Sequence, residues 1–324
     1  MQVGIFFISK LILNFEINKS IISGRLEYYI KKGINLIGHM PLAPSTGVTG
    51  LRGNTATTKG RGVDIILNSR QIDRAFKWHS TALFSYVTDK VIDYDERAAV
   101  TTYLQGLITS PLEGRPLYSI YSYQWAGLDP ATGDPLGVLD GKTSKDYSKI
   151  LTAATPDNIL FNGSARPTFF GSLRNTFIYK GFSLSANVSY RLGYYFRKSS
   201  VNYNAVLSAQ GGHGDYSFRW QKPGDELHTS VPSMPAAVNN NRDNLYLYSN
   251  ALVYKGDHIR LRDVNISYRL TRSNVPSLPV NQVELYFYAN NLGLLYRANG
   301  AGIDPDSQSL TLPRTFSLGM RLGL

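Results

Sequence analysis

The amino-acid sequence predicts an all-β protein: an antiparallel transmembrane β-barrel segment of about ten strands, with long loops on one side. Three observations carry that prediction. Residues 182–196 alternate strictly, with Phe182, Leu184, Ala186, Val188, Tyr190, Leu192, Tyr194 and Phe196 on one parity and Ser183, Ser185, Asn187, Ser189, Arg191 and Gly193 on the other. Charged residues are sparse at 18% while aromatics reach 12%, and Tyr (22) outnumbers Phe (14) and Trp (3). Short turns also alternate with long Pro- and Gly-rich excursions along the chain.

Successive side chains of a strand point to opposite faces, so residues 182–196 make a ribbon with one apolar and one polar side. A globular strand averages about 5–6 residues, whereas a tilted strand crossing a bilayer needs about 9–11. An unbroken run over 182–196 therefore fits a membrane wall better than a sandwich. The apolar ring and polar tip of Tyr suit the membrane–water interface.

The elements follow in order. Leu11–Ile17 and Ile22–Ile30 alternate on either side of a turn near Asn18-Lys19, a hairpin pattern. Residues 41–62 read as a loop, and strands follow at Val63–Ser69 and Phe76–Val87. Residues 88–171, punctuated by Pro111, Pro116, Pro130, Pro135, Pro156 and Pro167, read as mostly irregular. Such a stretch is out of place in a compact soluble domain and ordinary on the extracellular side of an outer-membrane barrel. Leu173–Lys180 and Phe182–Phe196 form a second hairpin turning at Lys180-Gly181, followed by a polar excursion over 199–243. Asn244–Lys255 and Asp257–Leu270 read as strands joined at Gly256-Asp257. In the latter, the apolar parity switches from Ile259 and Leu261 to Val264, Ile266, Tyr268 and Leu270, which predicts a β-bulge at Arg262-Asp263. Gln282–Leu292 and Pro313–Leu324 complete the set.

Few chemistries find support. With no cysteine, disulfides and thiolate sites are excluded for this chain. His39, His79, His213, His228 and His258 have no metal-ligand spacing, and neither a Gly-x-Ser-x-Gly elbow nor a Walker-type phosphate loop is present. Asp129-Pro-Ala-Thr-Gly-Asp134 and Asp304-Pro-Asp306 contain paired carboxylates, but lack EF-hand spacing and read as turns. The formal charge of +11 raises nucleic acid, yet the largest basic clusters are Lys31-Lys32 and Lys59-Gly60-Arg61, and the other cations are scattered. No enzyme, cofactor, metal site or nucleic-acid partner is predicted, and no loop residue identifies a substrate. No stretch approaches the roughly 18 apolar residues of a spanning helix.

Taken in order, several segments resemble the C-terminal barrel portion of the SusC/RagA type of TonB-linked outer-membrane protein. They are Arg25-Leu-Glu-Tyr-Tyr-Ile-Lys-Lys32, Pro41-Leu-Ala-Pro-Ser-Thr-Gly47, Lys59-Gly60, Phe76-Lys-Trp78 and Ala126-Gly-Leu-Asp-Pro-Ala-Thr-Gly-Asp-Pro135. Gly163–Gly171, Asn175–Leu184, Gly256-Asp-His-Ile-Arg-Leu-Arg-Asp-Val264, Leu285–Leu292, Asp304-Pro305 and Pro313–Gly319 continue the series.

The resemblance implies an outer-membrane location and import of oligosaccharides or peptides. It implies as partners a SusD-type surface lipoprotein, TonB acting through an N-terminal part, outer-membrane lipid and the barrel-assembly machinery. The last strand, with Phe316, Leu318, Met320, Leu322 and Leu324 alternating, is the expected assembly strand. Barrels of this type usually end on an aromatic residue, and Leu324 departs from that. Against the family layout, the chain is expected to be a barrel portion with plug, carboxypeptidase-like domain and signal peptide absent, and on its own not competent for transport. The rival reading is a soluble, secreted, carbohydrate-binding β-sandwich using Trp78, Trp125 and Trp220 as sugar-stacking rings.

Overall fold

A computed structural model describes residues 4–18, 21–40, 45, 51–94, 98–105, 111–307 and 312–323. Nine strands form one sheet: β1 (Ile5–Ile17), β2 (Ile22–Met40), β3 (Leu51–Asp73), β4 (Phe76–Tyr94), β5 (Phe169–Tyr179), β6 (Phe182–Leu192), β7 (His258–Thr271), β8 (Gln282–Arg297) and β9 (Thr315–Gly323). They pair in that order, each antiparallel to its neighbours. The sheet is open, with β1 and β9 as its edges and no ladder joining them among the described residues.

The register separates two chemistries across all nine strands. One row runs Glu16, Ser23, Asn68, Thr81, Arg174, Asn187, Asp263, Asn290, Thr315. On the opposite face, Phe15, Gly24, Leu67, Ala82, Leu173, Val188, Leu261 and Gly293 pair in sequence from β1 to β8. Because parity holds within each ladder, one side of the wall is predominantly apolar and the other polar.

The apolar side carries an aromatic row at each end. Phe76, Tyr179, Phe182 and Tyr268 face one another at the tight-turn end, with the Trp78 and Phe177 rings tilted against each other beside them at 5.7 Å. The Trp78 indole donates to Asn175 Oδ1 at 3.0 Å, so its polar edge is satisfied. Tyr28, Tyr86 and Phe169 mark the other end. From Tyr179 to Phe169 the chain advances about 33 Å, or about 25 Å along the normal at a tilt near 40°. That is the height of the apolar band of an outer-membrane barrel.

Three of the four connections at one end are short, and the fourth spans residues 272–281. Ile17 pairs Ile22 around Asn18, and Tyr179 pairs Phe182 around Lys180 and Gly181, both with positive φ (45° and 82°) as a type I′ turn requires. Long excursions leave from the other end, which is therefore the extracellular side. The bulge lies where the parity switch places it: Asn187 pairs Asp263 while Val188 pairs Leu261, leaving Arg262 as the extra residue.

Four expectations need correction. Residues 51–62, read as part of a loop, belong to β3, which begins at Leu51. The sheet has nine strands because Asn244–Lys255 is not one of them: Asn239 caps a helix over Asn240–Leu247 by accepting from Arg242 N at 3.0 Å, and Leu245 and Tyr246 are buried. Only Val253–Lys255 is extended, and it pairs Tyr195–Arg197. The 182–196 run is broken, since Gly193 (φ 75°) turns the chain out of the sheet after Leu192; a Cβ there would lie 2.0 Å from Thr168 Oγ1. Finally, 88–171 is not mostly irregular. It contains helices Val100–Gln105 and Tyr147–Ala153, the pair Ser119–Ser122 with Leu160–Ser164, and a three-stranded sheet of Trp125–Leu128, Pro135–Leu139 and Lys142–Ser144.

Candidate functional site

The excursions fold together into a cap above the extracellular end of the wall. Tyr103, Leu104, Tyr121, Tyr123 and Ile150 from the first excursion enclose Leu245 from the second. A second cluster, Val201, Tyr203, Val231, Tyr246 and Leu252, packs against Trp125. Tyrosine is frequent in both because its ring can be buried while its hydroxyl is hydrogen-bonded: Tyr203 donates to Pro232 O, and Tyr246 pairs with Ser200 Oγ at 2.7 Å. Arg197 donates to Leu104 O and Tyr121 O, tying the cap to the chain leaving β6. Burial pulls Arg197 down to about 10, so it stays charged at neutral pH.

The Asp129–Asp134 segment is a turn, and its carboxylates fasten the cap. Asp129 Oδ1 accepts from Ala131 N (2.8 Å) and Thr132 N (3.1 Å), its other oxygen meets Lys145 Nζ at 2.7 Å, and Asp134 meets Arg242 Nε at 2.8 Å. The Lys145 bond, helped by these two N–H groups, holds Asp129 at about 2.

Asp304 and Asp306 likewise act together. Asp306 meets Arg191 Nη1 (2.5 Å), His258 Nε2 (3.5 Å), Arg260 Nε (3.4 Å) and Arg262 Nη2 (3.6 Å), and Asp304 grips the buried Arg260 at 2.5 Å. Arg260 also donates to Asn291 Oδ1 at 2.8 Å. Burial works to raise the Asp306 carboxyl, but the His258 hydrogen bond and the arginines outweigh it and hold it at about 2. This cluster straps the loop between β8 and β9 across the polar face of β6 and β7, one register step from the bulge.

Below the strap, Arg174 and Asn187 both reach Asp263, at 2.9 and 3.0 Å. Between cap and wall lies a cavity of about 440 Å³, lined on the wall by Tyr29, Lys31, Thr58 and Asp89 and on the cap by Tyr118 and Arg166. Asp89 accepts from Leu117 N at 2.7 Å, seating the cap loop on β4, and the Arg166 guanidinium lies over the Tyr118 ring. A cation, a stacked guanidinium–aromatic pair and hydroxyls in one concavity suit a polar, hydrogen-bonding ligand.

The sequence-derived candidates fall elsewhere. Phe316, Leu318, Met320 and Leu322 share the apolar face of β9, paired with β8 and exposed; Leu324 lies outside the described residues. The three tryptophans do not form an exposed sugar platform. Trp78 belongs to the aromatic row, Trp125 packs on Tyr246 at 5.8 Å, and Trp220 is 8% exposed against Gly133. The cavity residues escaped sequence reading because they come from separate strands and loops and share no motif.

Comparison with known proteins decides the kinship. Over 317 residues, 91% of this chain, it is 24% identical to the TonB-dependent receptor P3 of Formosa agariphila, and P39 of the same organism matches at 24% over 90% of the chain. Chains of the RagAB peptide transporter superpose with a TM-score of 0.74 over 98% of this chain at 18% identity, and the open-open state of the RagAB peptide importer gives 0.73. The chain is similar to TonB-dependent receptors over about nine-tenths of its length and shares the fold of the RagAB chains. No family model matches it. Its likeness to these receptors and its β-rich wall make it an outer-membrane protein, and the apolar face of the nine strands is the side chemically matched to lipid. It spans 30% and 32% of the length of the two receptors and 35% of the RagAB chain.

Proposed function

We propose that this chain forms part of the wall and extracellular cap of a TonB-dependent transporter that imports oligosaccharides or peptides across the outer membrane. A SusD-type lipoprotein would close over the cap from outside, and TonB would supply energy through an N-terminal part of the protein. The observation that supports this reading is the nine-strand register, which gives the sheet one apolar and one polar face, with a folded cap at one end. The cavity between Lys31, Tyr118 and Arg166 is where the substrate would first meet the wall. Growth of a strain lacking the gene, on defined oligopeptides and on oligosaccharides as sole nutrient, tests it. Loss of growth on one class, restored by the intact gene and not by an Arg166→Ala, Lys31→Ala copy, is expected. Unimpaired growth and uptake on both classes would overturn it.

In this reading the chain by itself does not transport, because in lipid both sheet edges need partners before the wall can close. Substrate-dependent uptake by the isolated chain in liposomes would contradict that. The β9 face of Phe316, Leu318, Met320 and Leu322 serves as the strand that the assembly machinery reads.

A further inference from the structure

The apolar face of β1–β4 carries four cations, and the register collects them at one height. Lys32 of β2 pairs directly with Lys59 of β3, and Lys59 pairs directly with Lys90 of β4. Arg61 lies two residues below Lys59 on the same face, opposite Ile30 and Thr88. Three lysines abreast across three strands fall within about 10 Å. Like charges directly opposite destabilise a sheet, so the ladder is a cost in the protein alone.

A single carboxylate near the ladder on this face leaves most of that cost standing. Down the same parity lie Phe7, Ser9, Leu11, Leu13 and Phe15 of β1 and mostly apolar residues of β2–β4; Asp93 of β4, opposite Thr57, lies one same-face step beyond the lysine row and forms no ion pair with the four cations among the described residues. Asp89 points to the polar side and is engaged with Leu117 N, and Glu113 accepts from Tyr94 N at 3.0 Å. All four cations are exposed.

Their height identifies the missing counter-charge. The extracellular aromatic row, Tyr28, Tyr86 and Phe169, marks the edge of the hydrocarbon. Arg61 is one same-face step beyond it and the lysine row two, or about 5 and about 10 Å along the normal at a tilt near 40°. Lysine stems bend back toward the interface, which brings the ammonium groups to headgroup level. Tyr28, Ile30 and Ile92 form the apolar floor and Lys59, Arg61 and Lys90 the basic rim of a groove of about 310 Å³ there, which Gly60, Thr88 and Asp89 also line.

We propose that this ladder is a binding site for the phosphate groups of an outer-leaflet glycolipid, with Lys59, Lys90 and Arg61 as its principal cations and Lys32 at its margin. The inference rests on the outer-membrane placement of the wall and adds an annular lipid to it. The apolar floor takes the first acyl carbons and the cations take the phosphate, fixing the height of the wall in the bilayer and relieving the repulsion within the ladder.

The test uses the protein purified in detergent from native outer membranes, carrying Lys59→Gln and Lys90→Gln together, with Lys59→Arg, Lys90→Arg as the charge-keeping variant and Lys142→Gln as the control. Retention of added bisphosphorylated lipid A is read by native mass spectrometry, alongside dephosphorylated lipid A and inorganic phosphate. The wild type, the Arg variant and the control should retain the phosphorylated lipid. The Gln variant should bind it roughly 25-fold more weakly, the worth of two lysines at an anionic membrane surface. Equal retention by the Gln variant, equal binding of the dephosphorylated lipid, or full displacement by inorganic phosphate would each overturn the proposal. Heat-modifiable gel migration and membrane fractionation are read on the same samples. A wild type absent from the outer membrane defeats the underlying placement, whereas a correctly placed wild type without lipid defeats the lipid site alone. If the Gln variant fails to fold, the comparison of phosphorylated with dephosphorylated lipid on the wild type still decides.

Discussion

Replacing Val188 with Arg probes the assignment of faces at its most exacting point. Val188 lies on the apolar side of β6, between Leu173 and Leu261. It is six residues from Phe182 in the turn-end aromatic row and four from Leu192, which shares a row with Phe169 at the other end. With each residue advancing about 2.5 Å along the normal at a tilt near 40°, Val188 lies about 3 Å from the middle of the band. The near-midplane penalty for Arg on a lipid face applies almost in full, about 2–4 kcal/mol. The neighbouring Asn187→Arg is the matched control. Its side chain is on the polar side between Arg174 and Asp263, where the Asp263 counter-charge partly offsets the repulsion from Arg174, so its cost should stay at about 1 kcal/mol. Both variants are expressed in the native membrane, and the folded fraction is read by heat-modifiable migration and outer-membrane yield. Val188→Arg should deplete the folded form strongly while Asn187→Arg leaves it near wild type. Equal damage from both would refute the facing and, with it, the two-sided wall.

Other perturbations test the fastenings. Gly181→Ala at the β5–β6 turn places a Cβ 2.6 Å from Arg269 O on a backbone of φ 82°, and should cost about 1–2 kcal/mol, read as a lower urea midpoint for folding into vesicles. Asp306→Asn should free the β8–β9 loop and speed tryptic cleavage after Arg297 at neutral pH without removing the protein from the membrane. Because Asp306 is held at about 2 against an ordinary 3.8, its carboxylate stabilises the strap fully above about pH 4 and loses that contribution as pH falls toward 2. Amide exchange of residues 298–307, corrected for intrinsic rates, should show protection lost only in that window. Arg197→Met should leave the Leu104 and Tyr121 carbonyls unpaired, costing the cap about 1–3 kcal/mol and raising exchange around Tyr103 while the wall stays protected.

What the sequence discloses depends on the solvent each segment faces. Along β6 one side meets lipid and the other a polar lining, so the alternation of Phe182 to Leu192 is sharp and the face can be assigned residue by residue. The bulge at Arg262 was legible for the same reason, since one extra residue reverses the parity between Leu261 and Val264. The cap obeys no such rule. Its buried side chains include Tyr103, Tyr121, Tyr123, Tyr203 and Tyr246, amphipathic residues that also populate surfaces, and its helices are too short to show a period. Leu245 and Leu247 in a run without Gly or Pro imitate a strand, and only the Asn239 cap reveals the helix. The cavity of Lys31, Asp89, Tyr118 and Arg166 was out of reach because its residues meet only after β2, β4 and two loops are in place.

The basic ladder shows how far register can reverse a conclusion drawn from composition. In the sequence, Lys31-Lys32 and Lys59-Gly60-Arg61 are modest clusters and Lys90 is isolated, a scatter that argues against a concentrated anion site. Pairing of β2, β3 and β4 sends Lys31 to the polar side, over the Tyr29 ring at 4.6 Å, and brings Lys32, Lys59 and Lys90 abreast on the other. A soluble sheet gains nothing from that arrangement and would be expected to intersperse Glu or Asp. A wall rising from hydrocarbon into phosphate has a reason for it at one height only, just beyond the extracellular aromatic row, and these four residues lie there. The same physics accounts for the rest of that face. Below the aromatic row, β1–β4 present Leu, Ile, Val, Phe, Ala and Ser with no charge until the turn end, because a charge there would have neither water nor phosphate to meet.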